Sequence, residues 1–218
     1  MYQYCLFDYD GCLGDTLAPW LNAVKITAAE YGLVLDEIQI KEQFGTLSSV
    51  RNHGLDEKLA PSYAAKVKER ARSAVFAAGL YEGAYELIHH LHSEGKDLAI
   101  ISSNALELNK ILAKNGIHSF FKAVICGTDV KKKKPHPEGI EKALGLLRCM
   151  DKRQAVMIGD SEHDLGAARN AGIDSILFYP ENSFLCRLEE LAAYRPKHVV
   201  RSHAELERVL NVRAKQRA

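Results

Sequence analysis

The sequence has no CxxC pair, no long apolar run and no excess of either charge sign. Its five cysteines, Cys5, Cys12, Cys126, Cys149 and Cys186, are scattered along the chain. An odd, unpatterned set excludes a disulfide framework as the organising device and suggests free thiols in a reducing cytoplasm. No stretch approaches the roughly 18 apolar residues that a membrane helix needs. Lys and Arg total 29 against 28 Asp and Glu, a net +1. So balanced a surface has no strong field to draw nucleic acid or an anionic membrane. The opening Met1–Asp8 lacks the basic start and long apolar stretch of a secretory signal. Internal repeats and low-complexity segments are also missing, and residues 212–218 read as a frayed basic end.

What is present is an ordinary globular composition, 47% hydrophobic and 26% charged over 218 residues. That length suits one domain with an insertion, or two small domains. Five short apolar runs bounded by turn or acidic residues predict buried strands: 4–7, 98–101, 123–126, 155–158 and 175–178. A weaker sixth lies at 198–200. Helical patterns alternate with them, so the fold class is α/β, with a parallel sheet covered on both faces. About ninety residues separate the first two strands, far more than an ordinary crossover. Helical patterns fill much of that stretch, at 18–31, 36–44, 57–78 and 84–93, with Pro61 near the start of the third. Residues 15–81 therefore read as a small helical domain inserted into a core made of 1–14 and 82–218.

Polar clusters follow four of the strands: Asp8-Tyr9-Asp10-Gly11, Ser102-Ser103-Asn104, Lys131–Lys134 with Pro135-His136-Pro137, and Gly159-Asp160-Ser161 with Asp164. In a parallel sheet these ends share one edge, where α/β proteins place their ligands. Asp8, Asp10, Asp160 and Asp164 would repel one another unless a cation joined them. A hard divalent ion such as Mg²⁺ suits that oxygen-rich set and leaves room for a phosphate. Lys134 and the Ser102 hydroxyl are natural phosphate contacts. With Mg²⁺ and Lys134 offsetting the charge, Asp8 can attack phosphorus as a nucleophile, and Asp10 can serve as general acid and base. Gly11 lets the backbone turn sharply beside the metal. Lys131–Lys133 read as a solvated loop. His89, His90 and His92 lack metal-ligand spacing.

Asp8-Tyr9-Asp10-Gly11-Cys12-Leu13-Gly14-Asp15-Thr16 resembles the first motif of the haloacid dehalogenase superfamily, DxDGT followed by DT or DS. Ser102 resembles its second motif, Lys134-Pro135-His136-Pro137 its third, and Gly159-Asp160-Ser161 with Asp164 its fourth. All four stand in family order, across about residues 4–180. The resemblance is nearest to the phosphoglycolate phosphatase-like branch. It implies a Rossmann-like core of strand order 5-4-1-2-3 with a helical C1 cap. Carried over position by position, it makes Asp8 nucleophile and metal ligand, and Asp10 general acid/base and a metal ligand through its carbonyl. Asp160 becomes a Mg²⁺ ligand, Lys134 the group holding phosphate and nucleophile together, and Ser102, with Ser103, Asn104 and Gly11, the phosphate site. Asp164 and Ser161 support them. Cys12 stands where the family usually has Thr, and Ser102 where Thr is commoner.

The implied activity is a Mg²⁺-dependent phosphatase acting on a small phosphorylated metabolite, with phosphoglycolate first to try. A β-phosphoglucomutase-like phosphomutase and a pyrophosphatase share these motifs and stay open. A non-catalytic binding module fits poorly, since the reactive set is intact. Within the inserted segment, Phe44–Arg51 combines a glycine, hydroxyls and a cation, and Arg51 is the candidate for a second anionic group on the substrate. The partners expected are a small metabolite, no nucleic acid and no membrane, for a monomer or homodimer.

Overall fold

The structure is a computed structural model and describes residues 1–43, 47–103, 107–181, 183 and 187–210. In chain order its elements are β1 (Tyr4–Phe7), α1 (Leu17–Glu30), α2 (Glu37–Glu42), α3 (Ala60–Ala77), α4 (Ala84–Ser93), β2 (Asp97–Ile101), α5 (Leu108–Lys114), β3 (Phe121–Ile125), α6 (Glu138–Leu146), β4 (Ala155–Gly159), α7 (Glu162–Ala171), β5 (Asp174–Phe178), α8 (Leu188–Ala192), β6 (His198–Val200) and α9 (His203–Val209). The chain forms two compact units, Met1–Gly14 with Leu80–Ala218, and Asp15–Gly79. The expected cysteine Cys186, the end of the helical pattern at Phe44, Asn104 and the 212–218 tail lie outside the described residues.

The first unit is a six-stranded sheet of order β3-β2-β1-β4-β5-β6 with every pair parallel. Cys5, Leu6 and Phe7 are wholly buried, as are Val156, Met157 and Ile158. Strands this apolar on both faces need a layer on each side. On one side Leu6, Ala99, Ile101 and Met157 pack with Ile140, Ala143 and Leu144 of α6 and with Ala167 and Ala168 of α7. Leu87, Ile88 and Leu91 of α4, on the segment that re-enters the sheet, are buried as well. Strand order reverses at β1, so the chain leaving β1 and the chain leaving its neighbours open a crevice at the carboxyl edge. Leu80 bridges to Gly14, and the Tyr81 amide donates to the Leu13 carbonyl at 2.9 Å. That pairing draws Leu80 and Tyr81, expected from sequence to close the inserted segment, to the first unit.

The second unit is helical. Along α3, Tyr63, Val67, Ala71 and Val75 recur every four residues and form one buried stripe. It packs on α1, whose Val24, Thr27 and Ala28 are buried. Arg70 of α3 reaches across to the Thr27 hydroxyl at 2.9 Å and to Glu30 at 2.6 Å, which fixes the pairing of the two helices. The pattern expected to be one helix over 57–78 splits. A 3-10 turn spans Glu57–Leu59, with the Asp56 carboxylate accepting from the Lys58 amide, and α3 follows with Pro61 in its first turn.

Candidate active site

Asp8 is the first residue past β1. Its amide still donates to the Ile158 carbonyl at 2.8 Å, continuing the β1–β4 ladder, so its side chain is placed by the sheet rather than by a free loop. Gly11 sits at φ +80, and its amide donates to the Gly14 carbonyl at 3.0 Å. The amides of Cys12, Leu13 and Gly14 all point at the Tyr9 carbonyl, at 3.3, 3.0 and 2.8 Å. This closed turn carries Asp10, which is half-buried. Cys12 is buried, and its thiol donates to the Ile158 carbonyl at 3.7 Å. Burial pushes that thiol well up, with Asp8, Asp160 and Asp164 pushing the same way, so it stands as a neutral packing group.

Lys134 arrives from the loop before α6. Its side chain is 5% exposed, and its Nζ spends all three donors: Asp8 Oδ1 at 2.7 Å, Asp164 Oδ1 at 2.6 Å and the Ile101 carbonyl at 2.8 Å. Burial alone would lower this amine, but Asp164 and Asp8 override it and the net shift is upward, so Lys134 is a fixed cation. Asp164, wholly buried on the first turn of α7, turns its second oxygen to the Ser161 amide at 3.1 Å and the Ser161 hydroxyl at 2.6 Å. The same carboxylate thus caps a helix and holds the lysine.

Asp160, at the end of β4, completes the group: ligand oxygens of Asp8, Asp160 and Asp164 lie within 4.8 Å of one another. Burial is the largest effect on Asp8 and raises it to about 7; Lys134 opposes, while Asp164 and Asp10 add to the rise. Asp160 is raised well above the usual carboxylate range, again by burial first and then by Asp164 and Asp8. Three buried carboxylates and one ammonium sum formally to −3 + 1 = −2. A divalent cation cancels that charge, and hard oxygen donors suit one. Asp164 already accepts three hydrogen bonds and Asp8 one from the same lysine, so Asp8 and Asp160 have the greater capacity to hold it.

The structure therefore brings Asp8, Lys134, Asp160, Asp164 and Ser161 together. Ser102 is 4% exposed, and its amide extends the β2–β3 ladder to the Ile125 carbonyl at 3.0 Å, which sets it at the same sheet edge. Ser103 is half-buried, and its carbonyl would lie 2.3 Å from a Cβ on Gly127. Arg51 belongs to the other unit, where it pairs with Glu57 at 3.1 Å and stays 46% exposed.

Sequence reading placed Asn170 only in an extension of the fourth motif, Ala168–Gly172, and passed over Gly166; neither was read as bracing the lysine loop. Asn170 Nδ2 donates to the Pro135 carbonyl at 2.9 Å, and a Cβ on Gly166 would meet Pro135 at 2.9 Å. Both lie on α7, so one helix holds Lys134 by its ammonium and Pro135 by its backbone.

The family model for haloacid dehalogenase-like hydrolases matches residues 5–178. Pyrophosphatase PpaX of Halalkalibacterium halodurans is 33% identical over 137 residues, 62% of this chain and 61% of that protein. Pyrophosphatase PpaX of Bacillus velezensis is 29% identical over 224 residues, 95% of this chain and 96% of its own. The crystal structure of CbbY from Rhodobacter sphaeroides in complex with phosphate superposes with a TM-score of 0.75 at 26% identity, covering 94% of this chain and 96% of that one.

Proposed function

The chain belongs to the haloacid dehalogenase-like hydrolases, and on that premise we propose that it is a Mg²⁺-dependent phosphatase of small phosphorylated molecules, working through a phosphoaspartyl intermediate on Asp8. One observation carries the reading: the Lys134 ammonium lies 2.7 Å from Asp8 and 2.6 Å from Asp164, with Asp160 alongside. A cation locked against a nucleophilic carboxylate lowers the repulsion that a phosphate dianion would otherwise meet.

Asp8 attacks phosphorus and forms the acyl phosphate as the bond to the leaving oxygen breaks. Asp10, on the closed turn two residues on, gives its proton to that oxygen. The same carboxylate then takes a proton from the water that hydrolyses the intermediate, returning Asp8 free. Lys134 stays charged throughout and holds the transferring group beside Asp8, and the Ser102 hydroxyl binds a phosphate oxygen. Asp8, Asp160 and the Asp10 carbonyl would hold Mg²⁺, which would supply neutralising charge beside the phosphoryl group.

Two curated relatives are named as pyrophosphatases, so inorganic pyrophosphate leads the substrate list and phosphoglycolate follows. Phosphate release from a metabolite panel, with Mg²⁺ and with EDTA, tests the assignment. Asp8→Asn is expected to lose at least 1,000-fold in kcat with its circular dichroism unchanged, on the order of what removing a nucleophile costs. Substantial turnover by that variant, or full activity in EDTA, refutes it.

A further inference from the structure

His203 opens α9, nearly two hundred residues from the motif that carries Asp8, and it is 1% exposed. Its Nε2 lies 3.0 Å from the Cys12 carbonyl and its Nδ1 lies 3.2 Å from the Glu82 carbonyl. Cys12 belongs to the turn that leaves the sheet after Asp10, and Glu82 to the segment that returns. Between them the Gly14–Leu80 bridge and the Tyr81–Leu13 hydrogen bond pair the two segments. The ring is itself held in place. Phe178 packs on it with centroids 4.5 Å apart, and Tyr81 lies at 6.3 Å. A Cβ on Gly83 would touch its own Cβ at 3.4 Å. The helix behind it is anchored too, by Ser202 accepting from the Glu205 amide at 3.2 Å and by contact between Glu207 and His90 of α4.

We propose that His203 is a positioning residue, its imidazole donating to the Cys12 carbonyl of the outgoing segment while its ring packs beside Tyr81 of the returning one, so that the turn carrying Asp10 keeps its place beside Asp8. The inference rests on the phosphatase reading for its kinetic consequence. Burial lowers the imidazole to about 4, so at neutral pH the ring carries one N–H. Both nitrogens face carbonyl oxygens, and we take the Nε2–H tautomer, in which the ring donates to the Cys12 carbonyl across the shorter contact. The bond to the motif turn is therefore the one that matters, and it predicts which substitutions are tolerated. Gln places an amide N–H near the position of Nε2; Asn places one near Nδ1; Leu keeps bulk and removes both.

The test measures kcat and KM for the three variants well below their melting temperatures. It adds hydrogen exchange of the Leu13, Gly14 and Tyr81 amides. His203→Leu is expected to lower kcat by ~10- to 100-fold, the scale of a misplaced catalytic group, with KM within twofold and faster exchange at those amides. His203→Asn should behave as Leu does, and His203→Gln should restore most of kcat. A folded His203→Leu with kcat within twofold of the unsubstituted protein overturns the proposal, as does an unchanged exchange pattern or equal losses in Gln and Leu. If the unsubstituted protein releases no phosphate, the phosphatase reading falls. The exchange measurement still decides whether His203 holds the turn.

Discussion

Gly159 and Asp164 share one space: a Cβ on Gly159 would stand 2.3 Å from the Asp164 Cγ and 2.5 Å from its Cβ. The last residue of β4 must therefore be glycine for the carboxylate of α7 to reach Lys134. Overpacking of this kind costs about 1–3 kcal/mol. Gly159→Ala should lower the melting temperature by several degrees and cut kcat about 100-fold, because Asp164 is displaced and the lysine with it. Thermal unfolding together with phosphate release checks both, and unchanged kcat would contradict the arrangement.

Lys134→Met removes the ammonium that faces three buried carboxylates. Breaking a buried ion pair from one side typically costs about 3–5 kcal/mol. Urea unfolding in EDTA should show a loss of that order. Added Mg²⁺ should recover part of the stability but none of the turnover, since a divalent ion balances charge without holding phosphate against Asp8.

Magnesium should stabilise the protein more at pH 8 than at pH 5. Asp8 is raised from 3.8 to about 7 and Asp160 is raised as well. A folded chain that keeps protons the unfolded chain has released is most stable below the unfolded value, and it loses stability as pH climbs from about 4 toward 7. A cation bound between the carboxylates removes that penalty only where they are ionised. Melting temperatures with Mg²⁺ and with EDTA at the two pH values measure the effect, and an equal gain at both would contradict it.

Arg51→Ala should raise KM several-fold for substrates with a second anionic group and leave kcat nearly intact. Its guanidinium meets Glu57 through one nitrogen at 3.1 Å while staying partly exposed, so donors remain for a ligand. Steady-state kinetics over phosphorylated acids and sugars decides, and an unchanged KM throughout removes Arg51 from substrate binding.

The core strands were legible because apolar runs such as Leu98–Ile101 and Ala155–Ile158 are short, bounded by turn or charged residues, and too brief for a buried helix. Their ends were less so. β3 begins at Phe121, two residues ahead of the expected Ala123, because exposed Lys122 on this edge strand breaks the run and pairs instead with Asp97 of β2. Residues with reactive side chains, Asp8, Lys134, Asp160 and Asp164, could be found from type and spacing. Those that act through shape or backbone were not: the Ile101 carbonyl and Gly166 carry no chemical signature, Gly159 and Asn170 were named only as parts of a motif, and the folded chain shows what each one touches.

β1 lies between β2 and β4, so each flank of the strand that bears Asp8 is built by chain made much later. A ribosome must finish α7, with Asp164, before the lysine has both of its carboxylate partners. A nascent chain that ends before α7 carries Asp8 without the Asp164 anchor of Lys134, so the mechanism proposed above needs the chain through that helix.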